Sequence, residues 1–229
     1  MPTNEPALTL YSHPLASYCW KVLIALYESG TPFRNAPIEQ LPKAISAAWP
    51  TGKMPVLHDA ARDQAVAETT IIIEYLQQHY PGAAALIPEQ PAPQLDARLW
   101  DRFFDLYVHT PMQKLVTDRM RPDGGKDPIG VAEAKATLDT AYAMLEQRMA
   151  ARVWAAGDGF TISDCAAMPA LFYADAIHPF GGSRPALARY VERLTDRPSA
   201  RRTIREAQPY FHLFPFHDAL NPRFTSPDF

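Results

Sequence analysis

Glycine is scarce in this 229-residue chain, at 10 residues, and cysteine scarcer still, at two. Two cysteines, Cys19 and Cys165, are too few for a disulfide framework. No apolar stretch approaches the roughly 18 residues that a membrane-spanning helix needs; Ile71 to Ile73 is typical of the longest. The net charge is −3 and no run of Lys and Arg is long, so no nucleic-acid or polyanion surface is expected. Met1 to Pro6 lacks the charged and apolar regions of a signal peptide. The phosphate-cradling patterns G-x-x-x-x-G-K-[ST] and G-x-G-x-x-G are missing, as is G-x-S-x-G. Histidines 13, 58, 79, 109, 178, 212 and 217 are scattered, and no Cys/His cluster has metal-ligand spacing. The expectation is a reduced, soluble, cytoplasmic protein with no metal and no nucleic-acid or membrane partner.

What the chain does have is 47% apolar and 21% charged residues, which excludes disorder, and 23 prolines that punctuate it sharply. Ala7 to Tyr11 is a short β-type run ending at Ser12-His13-Pro14. Cys19, Val22, Leu23 and Leu26 then recur at helical spacing up to Ser29-Gly30, with Pro32 just beyond. Phe33 to Ile38 reads as a weak strand and Gln40 to Trp49 as a short, irregular helix. Pro55 to His58 and Ala65 to Ala67 form a strand pair around a turn, and Glu68 to His79 is a strong helix stopped by Pro81-Gly82. A strand, a helix and a strand in sequence predict a parallel pair, and the two later strands a hairpin.

Residues 83–93 carry Pro88, Pro91 and Pro93 without periodicity and read as a linker. The remainder is helical. Leu95, Leu99, Phe103, Leu106 and Tyr107 mark one long face, and Val131, Ala134, Leu138, Ala141, Leu145 and Met149 another. Asp101, Arg102 and Asp105 are expected on a solvated or interface face. Thr161 and Asp164 are spaced as a capping box, with Phe160 and Cys165 as its hydrophobic staple. The fold class expected is an α/β domain over 1–82 followed by an all-α helical bundle over 94–229. Its aromatic tail holds Tyr210, Phe211, Phe214, Phe216, Phe224 and Phe229, read as packing on the helical domain or a second subunit, with a lid over a pocket as the alternative.

Three places in the small domain suit chemistry. A helix N-terminus offers free amides and a partial positive charge, which stabilise an anion such as a thiolate. Ser17, near the first such terminus, can donate its hydroxyl to the anion or simply cap the helix. Cys19 falls on that helix's apolar face, where burial is expected. Lys53-Met54-Pro55-Val56 opens a strand with a proline, which belongs at an edge or a special turn where an extended peptide can pair. Lys53 suits a carboxylate there, or is merely solvated. Glu68-Thr69 stands at a second helix start. Thr69 can bind a carboxylate and Glu68 an ammonium, together reading an amino-acid head group, or the pair is a plain helix cap.

In the order and spacing of these motifs the chain resembles the cytosolic glutathione S-transferases over nearly its whole length. Leu10-Tyr11-Ser12-His13-Pro14, Lys53-Met54-Pro55-Val56-Leu57, Glu68-Thr69 where the family shows Glu-Ser, and Thr161-Ile162-Ser163-Asp164 carry the resemblance. It implies a thioredoxin-like N-terminal domain, a detoxifying transferase activity, glutathione as co-substrate without a metal, and a homodimer. It implies a cis Pro55, Met54 backbone pairing with the cysteinyl part of glutathione, Glu68 and Thr69 on the γ-glutamyl end, and Lys53 near the glycyl carboxylate. One departure is Ala16-Ser17-Tyr18-Cys19, where serine- and cysteine-type members carry Ser-Pro-Tyr-Cys or Cys-Pro-Tyr-Cys. Ala16 takes the usual catalytic position, Ser17 lies one residue later, and Tyr11 is near where tyrosine-type members carry theirs.

Lowering a thiol from about 8.5 by ~1–2 units takes ~1.4–2.7 kcal/mol. A helix end supplies ~0.3–1 kcal/mol at a surface and up to ~2 when partly buried. Losing a hydroxyl donor therefore weakens the activity without abolishing it. Three readings follow: a transferase joining glutathione to a small apolar electrophile, with Tyr107, Met112 and Phe172 as cleft residues; a glutathione-binding protein with little transferase activity, favoured by Ala16; and a glutathione-dependent disulfide or peroxide reductase, which the lack of Cys at 16 disfavours.

Overall fold

A computed structural model describes residues 5–229, so most of the N-terminal stretch read for a signal peptide lies outside the described residues. The first domain holds four strands: β1 (Leu8–Tyr11), β2 (Phe33–Asn35), β3 (Val56–Asp59) and β4 (Gln64–Ala67). They lie in the order β2-β1-β3-β4, with β1 and β2 parallel and both β1–β3 and β3–β4 antiparallel. The parallel pair and the hairpin are as the sequence predicts. Three helices complete the domain: α1 (Ser17–Ser29), α2 (Leu41–Ala48) and α3 (Thr69–His79). Helix α1 ends on Gly30, whose φ of 67° lets its amide reach back to the Leu26 and Tyr27 carbonyls. The weak strand is cut short at Asn35, because Pro37 and a 3₁₀ turn over Ile38–Gln40 follow.

The second domain is all helical: α4 (Pro91–Phe103), α5 (Thr110–Met120), α6 (Pro128–Met149), α7 (Ile162–Ile177), α8 (Pro185–Asp196), α9 (Pro198–Ala207) and the short α10 (Pro222–Thr225). Helix α4 starts inside the stretch read as linker, because Pro91 occupies a first-turn position where its missing N–H costs nothing. The linker itself is tied down. Leu86 and Ile87 are buried, Gln77 brackets Ile87 with two hydrogen bonds of 2.8 and 2.9 Å, and Leu86 accepts from the Ile162 amide.

The capping box at Thr161 and Asp164 forms as expected. The fully buried Asp164 carboxylate also accepts from the Ala155 amide at 2.9 Å and the Tyr190 hydroxyl at 2.6 Å. It therefore ties the α7 start to the preceding loop and to α8. Phe160 packs edge-on against Trp154.

The long face read from Leu95 to Tyr107 is a misreading of register. Ala97, Trp100, Phe103, Phe104 and Val108 are the buried set, whereas Leu95, Leu99, Leu106 and Tyr107 are 46–70% exposed. A π-helical turn over Phe104–His109 inserts into the α4–α5 run and breaks the 3.6-residue period. The α6 face is correct at Ala134, Leu138, Ala141, Leu145 and Met149.

The domains share a continuous core. Trp20 on α1 packs against Phe172 and Tyr173 on α7. Glu28 on α1 takes a two-pronged ion pair from Arg197, at 2.8 and 2.6 Å. The tail folds onto the same junction: Phe211, Phe214 and Phe229 are buried, with Phe211 on Phe172 and Phe214 on Tyr173. Packing on the helical domain is thus what the tail does here. No helix among the described residues is long and apolar enough to cross a membrane.

Candidate active site

A cleft of about 870 Å³ opens between the domains. All six residues singled out for chemistry, Ser17, Lys53, Met54, Pro55, Glu68 and Thr69, line it. Two helix starts face into it. At α1 the N-cap position is Ala16, with no side-chain cap, so Ser17 is the first helical residue rather than a cap. The Ser17 and Tyr18 amides find no partner among the described residues. At α3 the N-cap is Glu68, whose φ of 67° is a left-handed conformation costing a non-glycine residue about 1–3 kcal/mol. The Thr69 hydroxyl makes no hydrogen bond with a described residue and stands free at this helix tip.

Between the two tips runs the strand edge. The Met54–Pro55 peptide is cis, as the resemblance implies. The Met54 N–H and C=O make no hydrogen bond with described residues, leaving one donor and one acceptor for an extended ligand. Lys53 is exposed and forms no ion pair with a described residue. Beside it Trp49 lines the cleft with its indole N–H buried and unpartnered, a second donor that sequence reasoning missed.

Ser17 is 98% buried, and its Oγ accepts from Gln113 Nε2 at 3.2 Å. Tyr11 packs over Ala36, Leu41, Ile45 and Val56, away from the cleft. Burial pushes the Cys19 thiol up to about 12 and raises Cys165 as well. Both are fully buried, so a protein-linked mixed disulfide has no accessible thiol to form on.

The helical wall of the cleft decides between the two readings of Asp101 and Asp105, which lie at the interface with the first domain. Asp101 and Asp105 are not a solvated face. Lys21, fully buried on α1, lies 2.6 Å from Asp101 and 2.9 Å from Asp105. Thr70 donates to Asp101 at 2.6 Å, and Tyr18 donates to the Asp105 carbonyl at 3.2 Å. Burial alone would raise both carboxyls. At Asp105 the neighbouring His109 and Lys21 outweigh it and hold the carboxyl below its ordinary value, while Asp101 stays raised. Arg102 does stay exposed. Lys21 is the residue that could have signalled this: a lysine on the apolar face of α1 requires buried carboxylates.

A second, largely apolar pocket of about 400 Å³ adjoins the cleft through Ala16, Ser17, Met54 and Gln113. His13, Leu15, Met112, Met120, Tyr173, Leu213, Phe214 and Pro215 line it. Burial lowers the His13 imidazole, favouring its neutral form. Of the three cleft residues expected, only Met112 is found in this pocket. Phe172 lies in the core, and Tyr107 is half exposed against Phe103. The tail walls the pocket through Leu213 to Pro215, so it packs on the helical domain and borders a pocket as well. Among the described residues no group of His, Cys, Asp or Glu is arranged to hold a metal.

Comparison with known proteins agrees with this geometry. Family models described as glutathione S-transferase N-terminal domain and C-terminal domain match residues 10–84 and 128–193. The Escherichia coli glutathione S-transferase GstB is 26% identical over 156 residues, 68% of this chain and 74% of that protein. A stringent starvation protein A homolog from Haemophilus influenzae is also 26% identical, over 90% of this chain and 94% of its own length. Among solved structures, a Methylobacterium radiotolerans glutathione S-transferase in complex with glutathione sulfonate matches with a TM-score of 0.75 at 27% identity, covering 86% of this chain and 93% of that one.

Proposed function

Because the chain belongs to the cytosolic glutathione S-transferase family, we propose that its interdomain cleft binds glutathione and conjugates it to a small apolar electrophile held in the adjoining pocket. The reading rests on one observation: two helix tips and the unpaired Met54 backbone converge on a single cleft. The γ-glutamyl carboxylate meets Thr69 and the α3 amides, and its ammonium meets Glu68. The cysteinyl backbone pairs with Met54, and the glycyl carboxylate meets Lys53 and the Trp49 indole. The sulfur then lies toward the α1 tip and Ser17, where amides and a hydroxyl favour the thiolate.

Deprotonation releases the thiol proton to solvent. The thiolate attacks the electrophilic carbon, a C–S bond forms, and the leaving group departs with its electron pair. The protein works in the cytoplasm as a homodimer joined through the exposed apolar residues Leu95, Leu99 and Tyr107, whose apolar area needs cover.

Calorimetry with glutathione and an assay with an activated aryl halide test this reading. Micromolar to millimolar binding with turnover supports it, and no binding overturns it. A second reading, glutathione binding with little turnover, is favoured by Ala16 at the α1 cap. Binding with an unshifted thiol and no conjugate would select it.

A further inference from the structure

Gln113 sits on the first turns of α5, where the cleft and the apolar pocket meet, and it lines both. The π-helical turn just before α5 sets which α5 residues face the α1 tip. Met112 and Leu115 turn into the core, leaving Gln113 half-buried against Ser17. The polarity of the contact matters. A serine hydroxyl carries one proton and two lone pairs. Here the Gln113 Nε2 amide donates to Ser17 Oγ at 3.2 Å, and the Ser17 hydroxyl donates to no described residue. One lone pair is therefore occupied while the proton stays free. A hydroxyl that accepts a hydrogen bond also becomes a stronger donor.

We propose that Gln113 is a positioning residue: it holds Ser17 Oγ by one lone pair so that the hydroxyl proton is directed at the glutathione sulfur. The inference rests on the glutathione reading of the cleft, and it assigns the helical domain a part in activating the thiol. An amide suits the position because it is neutral at every working pH and offers two donors. A carboxylate there would accept the Ser17 proton and place a negative charge beside the thiolate. An aliphatic side chain would leave Ser17 free to turn away.

The test measures the pH at which bound glutathione ionises, from thiolate absorbance, in wild type, Ser17→Ala, Gln113→Leu, Gln113→Glu and Ser17→Ala/Gln113→Leu. Ser17→Ala is expected to raise the midpoint by about one unit. Gln113→Leu is expected to raise it by about half a unit, and Gln113→Glu, close in shape to the native residue, to raise it more than Gln113→Leu. In the double variant the Gln113→Leu increment should vanish, since Gln113 acts through Ser17. A pure folding role would move melting temperature and glutathione affinity without this pattern. An unmoved midpoint in both Gln113 variants, or an increment that persists in the Ser17→Ala background, overturns the proposal while the glutathione reading stands. An unmoved midpoint in Ser17→Ala overturns it too, since no hydroxyl would then need holding. Absence of glutathione binding in wild type removes both readings together.

Discussion

The Lys21 ammonium lies 2.6 Å from the Asp101 carboxylate, and neither side chain has any exposed surface. The pair joins α1 of the first domain to α4 of the second, directly beneath the cleft. Asp105 on the π-helical turn shares the same ammonium at 2.9 Å, and Thr70 of α3 bridges to both Lys21 and Asp101. Four elements thus meet on one buried cation. The relative placement of the α1 and α3 tips depends on it as much as on apolar packing.

Removing the cation should be severe. Lys21→Met leaves Asp101 buried with no counter-charge, and Asp105 beside it with only the half-exposed Arg102 at 3.5 Å. Breaking a buried pair by deleting one partner costs about 3–5 kcal/mol, a melting temperature lower by roughly 6–20 °C in a chain of this size. Asp101→Asn, which keeps shape and one hydrogen bond to Thr70, should cost less than Lys21→Met. Differential scanning calorimetry checks the order. Equal, sub-degree losses in both would mean that the network contributes little.

Acid stability should be governed in part by Asp59. Its carboxylate is fully buried and accepts from the Tyr75 and Tyr80 hydroxyls at 2.7 Å, the Ala61 amide at 2.9 Å and Arg62 at 3.2 Å. Burial works against ionisation, but these donors outweigh it and bring the carboxyl from 3.8 down to about 2. A depressed carboxyl stabilises the fold above its unfolded value, and that stability is lost as pH falls from about 4 toward 2. Urea unfolding across this window should show a slope that Asp59→Asn flattens. Tyr75→Phe/Tyr80→Phe, which removes two of the donors that depress the carboxyl, should lower stability at neutral pH and likewise flatten the acid limb, since less is then left to lose. An acid limb identical in Asp59→Asn and wild type would exclude this origin.

Much of this architecture is legible from residue pattern. Helix α1, the hairpin, α3 and the Thr161–Asp164 cap follow from local signals: an apolar period, a glycine stop, two short β runs, a spaced Thr and Asp. The six cleft residues are legible too, because each sits at a helix tip or a strand start, which the chain marks with Ser, Pro or Thr. What stays hidden is whatever depends on partners distant in sequence. A π-helical turn has no compositional mark, so the outward placement of Leu106 and Tyr107 does not show in the sequence, and nothing local marks Leu95 and Leu99, ahead of the turn, as exposed. The burial of Asp101 and Asp105 depends on Lys21, eighty and more residues earlier. Gln113 lies 96 positions from the serine it touches. Ser17 in turn reads as a possible cap because caps are read locally, while the backbone puts Ala16 at that position.

The exposed α4 stripe gives a third prediction. Leu95 and Leu99 are 70% and 61% exposed and do not line the cleft. In the proposed homodimer they lie at the subunit contact, where a buried glutamate has no partner. Leu95→Glu/Leu99→Glu should convert a dimer of about 51 kDa, twice the 25.6 kDa chain, to monomer in light scattering. Glutathione affinity should fall by less than about tenfold, because the cleft residues are untouched. A wild-type monomer would overturn the proposed dimer outright.

The α3 tip supplies the sharpest ligand test. Thr69 presents a hydroxyl and an amide, and Glu68 a carboxylate, to the cleft. If they read the γ-glutamyl group, Thr69→Ala should weaken glutathione binding roughly 10–100-fold, the range for a hydrogen bond to a charged group. Glu68→Gln, which removes the counter-charge for an ammonium, should do likewise. Cysteinylglycine lacks the γ-glutamyl group, so it should bind wild type weakly and lose nothing further in either variant. The two ligands thus separate a local reading of the head group from general damage to the cleft. Equal loss for both would mean that the α3 tip shapes the fold rather than recognising the ligand. No loss for either would place the γ-glutamyl group elsewhere, and the proposed orientation of the tripeptide, sulfur toward Ser17, would have to be reversed.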